Sequence, residues 1–196
     1  MTAPKRILLA AMAAGAILSA TTARADDYAI DPQHAWVNFT TKHAVWANAT
    51  GKFGTIAGDI SLDKSDPTKS NVAVTIDAAS LDTNFADRDR DLKGPDFFNV
   101  AEFPKITFQS TSVEKTGDKT AKVTGNLTLI GVTKPVTLDV IFNGEMPLPW
   151  DPTSTKAGFS ATGKINATDF GMTKVTQFGI GPEVNLAFEI EAYKKK

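Results

Sequence analysis

Apolar and polar residues alternate with a period of two along most of the chain, as they do in strands that bury one face. In AWVNFTTKH, Ala35, Val37, Phe39, Thr41 and His43 share one face, and His34, Trp36, Asn38, Thr40 and Lys42 share the other. The first set reads as the inner face. Phe53 to Leu62 reads as a second strand, with Gly54 and Gly58 where a bend or bulge would sit. Later runs align Val72, Val74 and Ile76, then Ile106 and Phe108, then Val123, Leu127 and Leu129. Val136, Leu138, Val140 and Phe142 follow in strict alternation. Ala157 to Asn166 is a weaker strand, and Val184 to Tyr193 sets Val184, Leu186, Phe188 and Ile190 against Asn185, Glu189 and Glu191. Thr116 to Lys119 and Gly131 to Pro135 are turns between these runs.

The pattern predicts about eight strands, each apolar on one side. Short links make neighbours antiparallel. Such a sheet buries its apolar face either by splitting into a sandwich or by closing into a barrel, and periodicity alone does not choose. A closed barrel of eight strands has room for a packed core or for one small ligand.

One stretch breaks the alternation: RDRDLKGPDFFN, Arg88 to Asn99. Asn84 to Lys93 has a polar start, early acids and Gly94-Pro95 as a stop, which predicts a short helix. Phe85 and Leu92 stand seven residues apart and so share a face of it. The alternating charges have two readings. They are paired carboxylates for acid–base work, or a solvated helix face whose ion pairs contribute ~0–1 kcal/mol each. Phe97 and Phe98 then read as anchors that hold a fixed flap over the interior of the sheet.

The first residues change the picture of where the protein resides. Lys5 and Arg6 precede the apolar run Ile7 to Leu18, and Ala23-Arg24-Ala25 has the form of a cleavage site. This predicts a secretory signal peptide over residues 1–25 and a mature domain over 26–196, exported to the periplasm. The whole chain carries 21 bases and 22 acids. Three of the bases lie in the leader, so the mature domain is net acidic and has no basic stripe for nucleic acid. Cysteine is absent, which removes thiol chemistry and disulfides.

Catalytic signatures are scarce. The chain contains no G-x-S-x-G elbow, no P-loop and no H-E-x-x-H, and its histidines are His34 and His43 alone. His43 is either a core histidine with a backbone or threonine partner, or a polar contact inside a cavity. No third ligand stands at a telling spacing for metal. Twelve phenylalanines against two tyrosines favour plain apolar lining over polar handles.

Four blocks together resemble the YceI-like family of bacterial exported proteins: YAIDPQHAWVNFTTKH, SLDTNFADRDRDLKGPDFFNVAEFPKITFQSTSV, GNLTLIGVTKPVTLDV and INATDFGM. They occur in the family's order and span nearly all of the mature chain. The resemblance implies an all-β fold, an eight-stranded antiparallel lipocalin-like β-barrel with a short helix covering one end or side. It implies non-catalytic binding, carriage or storage of a long apolar molecule in the barrel: a polyisoprenoid, an isoprenoid quinone or a fatty amide. It implies no cofactor, and it is compatible with a homodimer. The chain departs from the family pattern at Ala35, Asp91, Ile130 and Ala167, where relatives commonly carry serine, histidine, a basic residue and arginine. Where those groups read a ligand's head in relatives, their loss implies a different head or a plainer hydrocarbon.

The expected ligand-binding set is therefore Phe39, Thr41, His43, Phe53, Phe85, Leu92, Phe97, Phe98, Phe108 and Leu129. Thr41 and His43 would meet a polar head, and the others would line the apolar wall or its cover. Two rival functions stay open at this point. One is an enzyme acting on a quinone or lipid with His43 as base, and the other is a structural or interaction protein with a filled barrel.

Overall fold

The computed structural model describes residues 25–196, so the leader predicted over 1–25 lies, but for Ala25, outside the described residues. Ten strands appear in chain order: β1 Asp26–His43, β2 Ala47–Phe53, β3 Ile56–Leu62, β4 Asn71–Asp77, β5 Leu81–Asp82, β6 Lys105–Lys115, β7 Thr120–Leu129, β8 Val132–Leu148, β9 Asp151–Asn166 and β10 Ile180–Lys194. One α-helix, α1, spans Ala86–Lys93, and short 3-10 turns include Ala78–Ser80, Ala167–Phe170 and Thr173–Phe178.

Ten strands make eight staves. β1 pairs with β3 through its first residues (Asp26 with Leu62) and with β2 through its last (Val37 with Phe53). β2 and β3 are thus one stave bent at Gly54-Thr55. β4 pairs with β3 and β5 with β2, so these two form the next bent stave. All neighbours run antiparallel, and β10 pairs with β1 from Lys194–Tyr28 to Ile180–His43. That last pairing closes the sheet into an eight-stranded barrel and removes the exposed edges an open sheet would leave.

The inner face is the one the alternation predicts. Val37, Phe53, Ile76, Ile106, Phe108, Val123, Leu127, Leu129, Val136 and Leu138 are buried in one core cluster. Two rings lie across glycines on the neighbouring stave. A Cβ on Gly51 would stand 2.3 Å from the Phe39 ring, and one on Gly125 would stand 2.4 Å from the Phe108 ring. The missing side chains let each aromatic cover the adjacent backbone.

The strand predicted from Phe53 to Leu62 is thus divided, and its first part belongs to β2, which begins earlier, at Ala47. ANATGK carries almost no apolar signal. Its extended form is imposed by pairing with β1 across the tight turn at Ala44 to Trp46.

Candidate functional site

The barrel is hollow. Two adjoining chambers of about 330 and 160 Å³ run along its axis. They share Ile76, Leu127, Leu186 and Phe188 as walls, so the two volumes abut along the axis as a tube in two segments. The larger lies toward the β6–β7 hairpin and is walled by residues such as Ile30, Val72, Phe108, Phe142 and Phe159. The smaller lies under α1. A larger concavity of about 1010 Å³ sits on the outer wall, where Asn38, Thr40, Thr137, Asp139, Thr162 and Asn185 line an open saddle of polar strand faces. It lacks the convergent apolar walls that bury a ligand.

The cover over the smaller chamber follows from the sheet. β4 and β6 stay paired only as far as Asp77–Lys105. Beyond that, β5 turns away to follow β2, and a gap opens in the wall. α1 and residues 94–104 fill it. Leu92, Phe98 and Val100 pack against the core, and the Phe98 ring meets Phe53 edge-on at 5.3 Å. Phe97 tilts against Phe178 at 6.0 Å. The chain after Gly94-Pro95 folds back on the helix end, where Phe98 N donates to Leu92 O (2.9 Å) and Val100 N to Lys93 O (3.1 Å). These bonds use carbonyls that a helix terminus otherwise leaves open.

The charged run divides between the two readings. Arg90 pairs with Asp87 at 2.7 Å on a solvated face. Arg88 and Asp89 do something else: they clamp Thr83. Thr83 N donates to Asp89 Oδ1 (2.8 Å), the Thr83 hydroxyl donates to the same oxygen, and Arg88 Nε donates to Thr83 Oγ1 (2.8 Å). The Thr83 hydroxyl bond holds the Asp89 carboxyl below its ordinary range. The clamp fastens α1 to the end of β5.

Of the ten residues predicted for the site, Phe39, Thr41, Phe53, Leu92, Phe97, Phe98 and Leu129 line the smaller chamber together, and Phe108 lines the larger one. His43 and Phe85 stand outside both walls. His43 is the last residue of β1, just before Ala44 at φ 47°, and the β10 register slips between Thr41 and His43. Strand parity no longer aims the side chain there, and the imidazole meets Trp46 edge-on at 5.2 Å. Phe85 precedes the first turn of α1 with extended backbone (φ −152°), so helical spacing to Leu92 does not apply. Its ring is 57% exposed and lies 5.8 Å from the Arg88 guanidinium. Thr41 Oγ1 faces two backbone carbonyls, Gly181 O (2.7 Å) and Glu183 O (2.9 Å), so its proton is committed to the strand.

Further wall residues escape the sequence reading. Ala167 and Val175, from the two 3-10 turns after β9, and Met172 between those turns plug the helix end with Phe97 and Phe98. Ala167, one of the departures from the family pattern, is a wall of the smaller chamber. Leu186 and Phe188 stood on the expected inner face of β10, and alternation alone could have placed them in the site.

The opposite end is polar. Lys64, Lys115, Asp118 and Lys119 rim the larger chamber. Beside it the β8 register slips between Phe142 and Gly144, and this extra residue turns Glu145 toward Tyr28. The fully buried Tyr28 donates its hydroxyl to Glu145, which also binds Lys64. Lys64 reaches Asp26 as well, at 3.0 Å. Burial, reinforced by the Glu145 carboxylate, pushes the Tyr28 phenol up to about 12. The Asn-Gly inside β8 was the one sequence sign of that slip.

A second cluster sits on the outer wall where β1 bulges between Ile30 and Ala35. Asp31, His34 and Glu191 converge there in a manner that could hold a metal. Lys156 Nζ occupies the middle, 2.6 Å from Asp31 and 2.7 Å from Glu191. The cluster thus has its own cation. Burial alone would raise the Asp31 carboxyl, but bonds from Lys156, His34 and Gln33 N outweigh it and hold the pKa at about 2.

No titratable side chain of the described residues lines the middle of the tube: Arg88 stands at one end, and the lysines and Asp118 at the other. The arrangement can hold an extended apolar chain and offers no acid–base pair along it.

Comparison with known proteins matches residues 28–192 to the YceI-like domain model. The chain is 42% identical to Protein YceI of Salmonella newport (strain SL254), over 98% of this chain and all of that one. Among solved structures it resembles the YceI protein of Campylobacter jejuni: TM-score 0.70, 33% identity, covering 79% of this chain and 90% of that one. A polyisoprenoid binding domain from Saccharophagus degradans has the same fold, with TM-score 0.63 and 17% identity over 86% of this chain and 98% of that one.

Proposed function

The chain belongs to the YceI-like family, and from that footing we propose that it is a non-catalytic carrier that sheathes one long apolar molecule in its barrel. The observation that carries this reading is the tube itself, two contiguous chambers with apolar walls. Binding is driven by moving apolar surface out of water, at about 0.8 kcal/mol per buried methylene. Ordering a flexible chain opposes it and limits affinity. A polyisoprenoid, an isoprenoid quinone or a fatty amide supplies such a chain. The Saccharophagus relative's description as polyisoprenoid-binding supports the first.

Phe39, Phe53, Leu92, Phe97, Phe98, Phe108 and Leu129 grip the chain in this reading, and the lysine-edged mouth faces its head. Among the described residues the charged groups of the wall stand at its two ends, an arrangement suited to holding a chain, and the empty volume favours a carrier over a filled structural barrel. The leader read from residues 1–25 would deliver the carrier to the periplasm.

Solvent extraction of protein purified from its native host, followed by mass spectrometry, tests the reading. A stoichiometric isoprenoid or other long-chain lipid is expected. An empty extract, together with no uptake of added prenol or quinone, would overturn it.

A further inference from the structure

The helix end of the barrel carries apolar side chains that no other described residue covers. Val45 is 95% exposed and Trp46 76% exposed, at the tip of the β1–β2 turn. Phe178, 60% exposed, ends the neighbouring 3-10 turn. The two tips touch: Ala44 N donates to Gly179 O at 2.6 Å. Soluble surfaces seldom group such residues without a partner.

These tips border the smaller chamber. Ala49 and Thr50, just after the β1–β2 turn, line it, as do Ile180 and Gly181 just after Phe178. Thr50 and Arg88 are both exposed and both chamber walls, so the chamber reaches the surface between β2 and α1. Phe178 leans on Phe97, a chamber wall.

Charge is also uneven here. Residues 42–50 contain Lys42 and His43 and no acid, and residues 171–182 contain Lys174 and no acid. Among the described residues, Asp96 pairs with Lys174, and Asp169 and Glu183 flank the second stretch, so Lys42 is the cation of the tip left without an ion-pair partner. A tryptophan and a phenylalanine projecting beside lysines is the composition that settles at a lipid–water interface.

We infer that this tip is a bilayer-docking surface: Val45, Trp46 and Phe178 insert among the headgroups of an anionic phospholipid membrane, and Lys42 meets their phosphates. The inference rests on the carrier reading and extends it by naming where the apolar chain is exchanged. The docked tip sets the chamber mouth against the membrane, so the chain passes between bilayer and barrel without crossing water.

The test uses the full mature chain and the variant Val45→Ser/Trp46→Ser, which leaves every chamber wall in place. The probes are vesicles of phosphatidylethanolamine with phosphatidylglycerol, vesicles of phosphatidylcholine alone, and a fluorescent prenol. Wild type is expected to sediment with the anionic vesicles, with binding that weakens as salt rises. The variant is expected to bind them about tenfold more weakly. Its uptake of prenol from vesicles should slow in parallel, while uptake of the same prenol delivered from ethanol stays unchanged. Equal vesicle binding and uptake by both proteins would overturn the docking surface. So would a wild-type dimer that the variant converts to monomer in sedimentation velocity, because the tip would then be a protein interface. Failure of both proteins to retain ethanol-delivered prenol would instead strike the carrier reading, and vesicle sedimentation would still report on docking.

Discussion

The two ends of the barrel solve the same problem with different chemistry. At the helix end the sheet parts, and all but the outlet between β2 and α1 is stopped with rings: Phe98 on Phe53, Phe97 on Phe178, with Met172 and Val175 beneath. At the hairpin end the strands run on and are tied by charge: Tyr28 to Glu145, Glu145 to Lys64, Lys64 and Lys194 to Asp26. An apolar stopper and a polar rim give the tube a direction. A chain with one oily end and one polar end would lie in it one way round, tail toward α1 and head toward the lysines. The contrast also separates what each end does for stability, because ring packing is lost with volume and ion pairing is lost with pH.

The stopper should show the largest effect. Phe98→Ala removes a ring packed against the core, and losses at such sites run to about 3 kcal/mol. Urea unfolding should record that loss, and prenol retention should fall with it. A fall in retention with no change in stability would mean that Phe98 touches ligand without holding the wall.

On the charged side, Asp31→Asn should cost about 2 kcal/mol at neutral pH, because Lys156 is left half paired in a nearly buried site. The folded pKa of Asp31 lies below the unfolded value, so its contribution is present above about pH 4 and fades as pH falls toward 2. Acid unfolding of wild type and variant should therefore converge at low pH. A constant gap down to pH 2 would assign the loss to packing.

Tyr28 titrates at the other extreme. Its folded pKa of about 12 exceeds the ordinary value of 10, so its contribution holds below pH 10 and is lost as pH rises through 12. Tyr28→Phe should cost about 1.5 kcal/mol at neutral pH, the low end for a hydrogen bond to a charged group, and should flatten the alkaline limb of the stability curve. The smallest effect belongs to the solvated face of α1. Arg90→Ala should unfold with wild type within error, whereas Asp89→Ala, which opens the Thr83 clamp, should loosen α1 as read by amide exchange. A comparable effect from both would remove the distinction between clamp and solvated pair.

These differences mark how far the sequence could be read. Alternation reveals the staves and their inner faces wherever pairing is regular, as from Val136 to Phe142. It also foretells the break at RDRDLKGPDFFN, because Gly94-Pro95 and two adjacent phenylalanines cannot continue either period. Parity fails at register slips. One slip takes His43 off the inner wall, and another turns Glu145 toward Tyr28, and neither follows from residue type alone. Helical spacing fails for Phe85 because the helix starts one residue later. Asp31, Lys156 and Glu191 are brought together by a bulge that only long-range pairing defines.

On the proposed function, the middle of this protein is a dry tube that holds an oily chain. A high-resolution crystal structure of protein purified with its native contents tests it most directly. One continuous tube of density is expected to run from Phe98, past Leu127 and Phe188, to Phe142. Ordered water along that path, or side chains collapsed to fill it, would contradict the account.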